Sequence, residues 1–162
     1  MKTISSRFFV MLAVCGVVMA LAAPGAAQRR RGYARSGYTR PEVDRLIKRT
    51  EDRTDVFVKL FDKALDNSVL DGTQKEDRLN DKAKELEKQM DKVRSEFDHA
   101  EGYIEIKEHV AKALVVSEEI NTVVLNRRLN PTVEREWGVL RVELNKLARV
   151  YNLRALKLDR SN

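Results

Sequence analysis

The side chains best suited to bind a metal ion lie on either side of Gly102. They combine two imidazoles with three carboxylates, which are common protein ligands of divalent ions, and they are Asp98, His99, Glu101, Glu105 and His109. A di-iron bundle would need two Glu-x-x-His pairs, and Glu96 with His99 is the only such pair. Polar residues also collect at exposed connections between helices. We therefore predict no metal ion and no other cofactor, and keep the five residues as alternative candidates.

Sequence motifs typical of enzymes that catalyse hydrolysis or group transfer are absent from the sequence. It contains no G-x-S-x-G elbow, no H-E-x-x-H helix and no glycine-rich phosphate loop. The single cysteine, Cys15, lies in an apolar N-terminal stretch, so any thiol chemistry would be lost with that stretch. The many carboxylates alternate with Lys and Arg and are expected to form surface pairs on helices. We predict that the protein is not an enzyme.

A basic segment over 28–40 is the main candidate for binding anionic polymers. It contains five arginines, two tyrosines and no aliphatic residue larger than alanine, so we predict a disordered tail. Arginine binds phosphate and carboxylate groups, and aromatic rings offer stacking faces. The expected ligands are envelope polymers or a membrane surface, and the candidate residues are Arg29, Arg30, Arg31, Tyr33, Arg35, Tyr38 and Arg40. The alternative is a solvated spacer.

The net charge of +6 comes from the N-terminal region. The first 40 residues hold seven of the 31 basic residues and no Asp or Glu, which leaves 24 basic against 25 acidic residues in 41–162. A fold that binds nucleic acid normally carries a basic surface. The nearly neutral remainder therefore gives no support for specific nucleic-acid binding.

Residues 1–27 are typical of a secretory signal peptide. Two basic residues precede an uncharged run over 8–23, and small residues end the stretch at Ala27. We predict cleavage after Ala27 and a periplasmic or secreted protein. The alternative is an uncleaved anchor, although the run is shorter than the ~20 residues that a span needs, and the arginines that follow oppose the positive-inside bias. The bulky Val14 disfavours lipidation at Cys15.

Heptad spacing of apolar residues predicts four helices behind the tail. In the second, apolar residues recur every four or three positions and nearly every position between them is polar, which indicates an amphipathic helix. These residues are Leu79, Ala83, Leu86, Met90, Val93 and Phe97. The third and fourth segments repeat the spacing. Proline and glycine residues separate the segments and predict helices over about 41–70, 74–98, 103–127 and 131–158.

The short connections between these segments favour an all-α fold. Capping boxes that start at Thr39 and Thr73 begin the first two helices, and Asn130 before a proline begins the fourth. Because short connections make sequential helices antiparallel, we predict an up-down-up-down four-helix bundle over 41–162, preceded by the signal peptide and the tail. The alternative is a longer helical hairpin that dimerises into a bundle. The same heptad rows of apolar residues, called seams below, could be buried in either arrangement.

One level of the predicted core combines small and hydroxylated residues from several helices. These side chains could leave a mid-bundle pocket for a small ligand, and they are Thr50, Thr54, Met90, Ala113, Ser117 and Ala148. The alternative is close helix packing, in which Thr and Ser hydroxyls bond to carbonyl groups of their own helix.

The third predicted helix has more apolar surface than one core face needs. Leu114, Val115 and Val116 widen its stripe, as do residues 123–125. Either this helix is the most enclosed of the four, or part of it contacts a second chain. We predict an exported, non-enzymatic protein that acts through a protein partner or self-association at this helix and is anchored by its basic tail. The alternative function is a carrier of a small ligand or metal.

Overall fold

The computed structural model describes residues 37–99, 102–126 and 129–157. These residues form four α-helices and no strand, and the helices are α1 (Arg40–Asp66), α2 (Gln74–Asp98), α3 (Tyr103–Asn126) and α4 (Pro131–Val150). The all-α prediction is confirmed. None of the four described helices is long and apolar enough to cross a membrane. The predicted signal peptide and most of the predicted tail lie outside the described residues.

A contiguous apolar core lies between the four helices. α1 packs against α2 and α4, and α3 packs against the same two helices. Every seam residue predicted for α2 is buried, and the seams of α3 and α4 are buried as well. Among the described residues, the bulkiest fully buried side chains are Trp137, Tyr151, Phe57 and Phe61. The heptad seams therefore mark the faces on which the helices meet.

The first turn of α1 includes the last residues of the predicted tail. The Glu42 carboxylate accepts hydrogen bonds of 2.7 Å from the backbone N–H and from the hydroxyl of Thr39, and these bonds lower the pKa of Glu42. The Arg40 guanidinium lies 5.0 Å from the Phe97 ring centroid and donates to the Phe97 carbonyl oxygen at 3.3 Å. Tyr38 is half-buried against the core. The folded part therefore begins before residue 41.

α1 ends at Asp66, four residues before the predicted end. Polar side chains after this point bond to nearby backbone groups and so compete with the helical ladder. Ser68 Oγ accepts from the N–H of Leu70 at 3.0 Å, and the Thr73 hydroxyl donates to the Leu70 carbonyl oxygen at 2.6 Å. Thr73 Oγ1 also accepts from the N–H of Glu76 at 3.3 Å, and this bond caps the start of α2. The predicted capping box is only half formed, because the Glu76 carboxylate accepts from the N–H of Gly72 at 2.6 Å.

α4 ends at Val150, although the apolar pattern predicts a helix to 158. Asn152 has a positive φ of 52°. The N–H groups of Asn152 and Leu153 donate to carbonyl oxygens in the last turn of α4 at 3.2 and 2.7 Å. This arrangement is a Schellman motif with asparagine at its left-handed position. It reverses the chain, so the residues that follow run back along α4 instead of extending it.

Substitutions at Asn152 should show how strongly this reversal stabilises the fold. Glycine adopts a positive φ without steric cost, whereas the left-handed region costs other residues about 1 kcal/mol or more. We expect Asn152→Gly to keep or raise the free energy of unfolding and Asn152→Ala to lower it by about 1 kcal/mol, measured by urea denaturation. Asn126→Ala, at an exposed position that ends α3, is the control. Equal effects of the two Asn152 substitutions would contradict this account.

Candidate functional site

The C-terminal segment, defined here as residues 153–157, lies along α4 without regular secondary structure. Asn145 on α4 holds this segment by its main chain. The N–H of Leu156 donates to Asn145 Oδ1 at 2.7 Å, and Asn145 Nδ2 donates to the Leu156 carbonyl oxygen at 3.2 Å. Asn145 is only 5% exposed. Its amide therefore satisfies both backbone groups of one residue at a site that water barely reaches.

A second amide, from α3, holds the next residue of the segment. Asn121 Nδ2 donates to the Lys157 carbonyl oxygen at 3.2 Å. Asn121 Oδ1 accepts from Trp137 Nε1 at 2.9 Å and from Arg141 Nη1 at 3.2 Å. Because these two donors occupy the oxygen, the NH₂ group of the amide faces the segment. We call Asn121 and Asn145 together the amide clamp.

Apolar contacts complete the site. Leu156 is 4% exposed and belongs to the core, and Leu153 is half-buried at the edge of the core. The remaining side chains of the segment are exposed, namely Arg154, Ala155 and Lys157. The segment is therefore held by main-chain hydrogen bonds and by one well-buried leucine.

The fold divides the broad apolar surface that the sequence predicts for α3. Leu114 and Val123 are buried, whereas Val115 is 69% exposed and Ile104 is 67% exposed. Burial between neighbouring helices thus accounts for the inner part of the surface. Contact with a second chain stays a prediction for the outer part.

The amide clamp can bind peptide main chain. A primary amide offers one donor and one acceptor side by side, so it pairs with the N–H and the C=O of one residue much as a neighbouring strand would. These bonds do not depend on the side chain of the bound residue. No family model, curated protein or solved structure matches this chain. The interpretation of the clamp therefore rests on its geometry.

Two of the metal candidates at the end of α2 are engaged by neighbouring groups. Both carboxylate oxygens of Asp98 accept hydrogen bonds from Arg94, at 2.9 and 2.5 Å. Nδ1 of His99 lies 2.7 Å from the Ser95 carbonyl oxygen. These contacts engage both oxygens of Asp98 and one ring nitrogen of His99 with groups of α2.

Of the remaining metal candidates, the structure describes His109 and Glu105. His109 is shared between Gln89, whose Oε1 lies 2.9 Å from Nδ1, and Glu96, whose Oε1 lies 3.5 Å from Nε2. Glu105 is exposed, and Glu101 lies outside the described residues. Within the described part of the chain, no three His, Cys, Asp or Glu side chains are placed to hold a metal ion.

The residues predicted to line a mid-bundle pocket are all fully buried, and they are Thr50, Thr54, Met90, Ala113, Ser117 and Ala148. The Thr50 hydroxyl donates to the Leu46 carbonyl oxygen at 2.8 Å, and the Thr54 hydroxyl donates to the Thr50 carbonyl oxygen at 2.8 Å. Close packing therefore accounts for both threonines. Ser117 differs, because its buried Oγ has no hydrogen-bond partner among the described residues. The ligand pocket stays a prediction.

Removal of the unpaired hydroxyl of Ser117 and removal of the hydrogen-bonded hydroxyl of Thr54 should have opposite effects on stability. An unpaired buried hydroxyl destabilises a fold, so Ser117→Ala should raise the free energy of unfolding by about 1 kcal/mol. Thr54→Val removes a satisfied hydroxyl and should lower it by about 1 kcal/mol. Thermal denaturation followed by circular dichroism measures both changes. A loss of stability in Ser117→Ala would instead indicate that the hydroxyl binds a water molecule or a ligand.

Carboxylates from α1 and α2 repel one another across the interface between these helices. Burial raises the pKa of Glu51, and Arg94 opposes this shift while Asp91 adds to it. Burial also raises the pKa of Asp55, again with a contribution from Asp91. The ionised forms of both carboxylates are therefore disfavoured in the folded state.

Asp91→Asn should stabilise the protein at neutral pH only. Because the folded-state pKa values of Glu51 and Asp55 are raised, protonation favours the fold, and this stability is lost as the pH rises through the folded-state pKa values. Removing the Asp91 charge should raise the free energy of unfolding by about 0.3 kcal/mol near neutral pH. The gain should vanish in acid, where the carboxylates are protonated. Urea denaturation at neutral and at acidic pH tests this prediction, and Asp81→Asn, at an exposed position, is the control. Equal gains at both pH values would exclude charge repulsion.

Proposed function

We propose that this chain is an exported, non-enzymatic interaction protein that binds a peptide segment of a partner protein with its amide clamp. The observation that carries the proposal is the pair of hydrogen bonds between Asn145 and the main chain of Leu156. A buried amide that bonds to both the N–H and the C=O of one residue is suited to bind peptide main chain. The chain's own C-terminal segment illustrates the ligand, a non-helical peptide with one leucine in an apolar site.

An up-down-up-down four-helix bundle is the scaffold in this proposal. Two contacts support it, because each joins the start of one helix to the end of the next. Arg40 at the start of α1 donates to the carbonyl oxygen of Phe97 near the end of α2. Tyr103 at the start of α3 donates its hydroxyl to the carbonyl oxygen of Val150 at the end of α4, at 3.1 Å. Antiparallel neighbours bring such ends together.

The packing around the clamp supports a site that is organised before it binds. Trp137 is 1% exposed, and its ring centroid lies 4.9 Å from that of Phe57 on α1. The indole thus anchors Asn121 to the core through the hydrogen bond described above. A site held in place in this way loses less conformational entropy on binding.

Next to Lys157, the guanidinium of Arg141 offers one further hydrogen-bond donor. Arg141 Nε is buried and has no hydrogen-bond partner among the described residues. Arg141 Nη1 lies 3.5 Å from the Lys157 carbonyl oxygen. A bound peptide that continues past this position would therefore place a carbonyl or carboxylate oxygen where it accepts a hydrogen bond from the guanidinium.

Export and anchoring belong to the proposal on the grounds of sequence alone. The apolar stretch over 1–27 would direct export, and the arginines of 28–40 would attract anionic polymers or a membrane surface. A protein anchored by its N-terminal tail could still expose the clamp on α3 and α4 to a partner.

Binding of a peptide in trans tests the proposed function. In the full chain, Leu156→Asp should release the C-terminal segment, because a carboxylate is disfavoured at an apolar buried position. A fluorescent peptide with the sequence of residues 153–162 should then bind with a Kd of about 10–100 μM, an affinity typical of a short segment with few contacts. Adding Asn145→Ala should weaken binding at least about tenfold. Fluorescence anisotropy measures both affinities.

The natural chain and a folding check serve as controls. The natural chain should bind the labelled peptide more weakly, because its own tethered segment competes at high effective concentration. Circular dichroism should show full helix content in each variant. A helical Leu156→Asp chain that binds no peptide at about 1 mM, where a typical tethered segment would bind, would refute the proposed function.

A further inference from the structure

The C-terminal segment is joined to α4 by a very short connection. Tyr151 is fully buried and its ring centroid lies 5.1 Å from that of Tyr103, so it stays fixed to the core. Asn152, with its positive φ, is the one residue between this anchor and the segment. A change in the backbone of Asn152 would direct the segment away from its own helix.

The main contacts of the segment do not require this connection. The amide clamp binds Leu156 and Lys157 from positions 11 and 36 residues away in sequence. The same bonds could be made by a segment from another molecule. Among the described residues, the hydrogen bonds that belong to the reversal itself are those from the N–H groups of Asn152 and Leu153 to the end of α4.

A second copy of this chain is a better occupant than an unrelated peptide. An unrelated peptide must displace a tethered segment whose effective concentration is in the millimolar range. Two copies that exchange segments each regain the bonds that they lose, so the clamp contacts are conserved in number. Exchange of identical elements is a low-cost route to a dimer.

We infer that two copies of this chain exchange their C-terminal segments, so that the Leu156 main chain of each copy is held by Asn145 of the other. This inference rests on the proposed function, since it requires that the clamp accept a segment in trans. The site is then completed by a residue of the second copy. Self-association would then arise at the amide clamp and not at the exposed apolar residues of α3.

The reversal at Asn152 sets the balance between the closed monomer and the exchanged dimer. Valine disfavours a positive φ and favours extended backbone, so Asn152→Val should increase the dimerisation constant by about tenfold or more. Glycine accommodates the reversal, so Asn152→Gly should decrease dimerisation. The two variants differ in one side chain at an exposed position.

Sedimentation velocity of the full chain over a wide concentration range tests the exchange. The expected result is a dimer fraction that rises with concentration, increases in Asn152→Val and falls in Asn152→Gly. Asn145→Ala and Leu156→Asp should each lack the dimer when tested alone. Their mixture should form a heterodimer, because the intact segment of the first variant fits the intact clamp of the second.

Two results would overturn the inference. One is a monomer at every concentration in Asn152→Val. The other is a dimer that survives both Asn145→Ala and Leu156→Asp in chains whose circular dichroism is unchanged, which would place self-association elsewhere, for example at Val115. Peptide binding in trans without any dimer would refute the exchange and leave the proposed function intact.

Discussion

Replacing Trp137 with alanine is expected to lower the free energy of unfolding by about 3–5 kcal/mol. The indole is 1% exposed, packs against the Phe57 ring in a tilted arrangement and donates a hydrogen bond to Asn121. Alanine would leave a cavity in the core and remove one of the donors that orient the amide. Small domains are stabilised by only about 5–15 kcal/mol, so the variant should be partly unfolded at physiological temperature. Far-UV circular dichroism during thermal and urea denaturation measures the loss.

Trp137→Phe separates packing from hydrogen bonding in this prediction. Phenylalanine keeps much of the ring but lacks Nε1, so we expect a smaller loss of about 1–2 kcal/mol. Val115→Ala, at an exposed position on α3, should change stability by less than about 0.5 kcal/mol. If Trp137→Ala and Trp137→Phe were equally destabilising, the cavity would contribute little and this account of the core would be wrong.

Replacing Asn145 with alanine is expected to lower the free energy of unfolding by about 2–4 kcal/mol. The substitution removes two hydrogen bonds and leaves the N–H and the C=O of Leu156 without partners next to the core. A buried backbone group without a partner costs about 1–3 kcal/mol. Because the segment can move away and become solvated, we expect the lower part of the combined cost. Amide hydrogen exchange at Leu156 should accelerate more than exchange in α2.

Asn145→Asp provides a matched comparison for this site. Aspartate keeps an acceptor for the N–H of Leu156 but places negative charge against the Leu156 carbonyl oxygen, so it should be at least as destabilising near neutral pH. The exposed Asn126→Ala is the control for loss of an amide from a helix. Normal protection of the Leu156 amide in Asn145→Ala would show that the clamp does not hold the segment.

The sequence predicted the helices well because burial in a helix follows a local period. The six seam residues of α2 are all buried, as their spacing of three and four residues predicts. The predicted ends of α1 and α4 lie beyond the observed ends, because the apolar pattern continues past the residues at which each helix stops. Asn152 carried a usable signal, since asparagine after the last periodic residue is a known helix stop. The polar residues after Asp66 carried a similar one.

The candidate site was predicted less well, for a different physical reason. The histidines and acids near Gly102 were kept only as alternative metal candidates on the basis of their types. In the structure Asp98 pairs with Arg94, and His109 bonds to Gln89 on the neighbouring helix. The residues of the amide clamp showed no signal, because isolated asparagines on a helix resemble solvated surface residues. Types and spacing along the chain do not reveal which polar groups a neighbouring element will satisfy.

The sequence by itself determined four amphipathic helices and the faces that they bury, because the hydrophobic effect acts on a period that one segment displays alone. Only the tertiary structure decided where the C-terminal segment lies and what holds it. The bonds from Asn145 and Asn121 to that segment join residues 11 and 36 positions apart. Within one chain, the reversal at Asn152 brings the segment to these side chains, and the relative placement of α3 and α4 sets the two asparagines side by side. Such hydrogen bonds form only when distant groups meet within about 3 Å, a condition that no local pattern encodes.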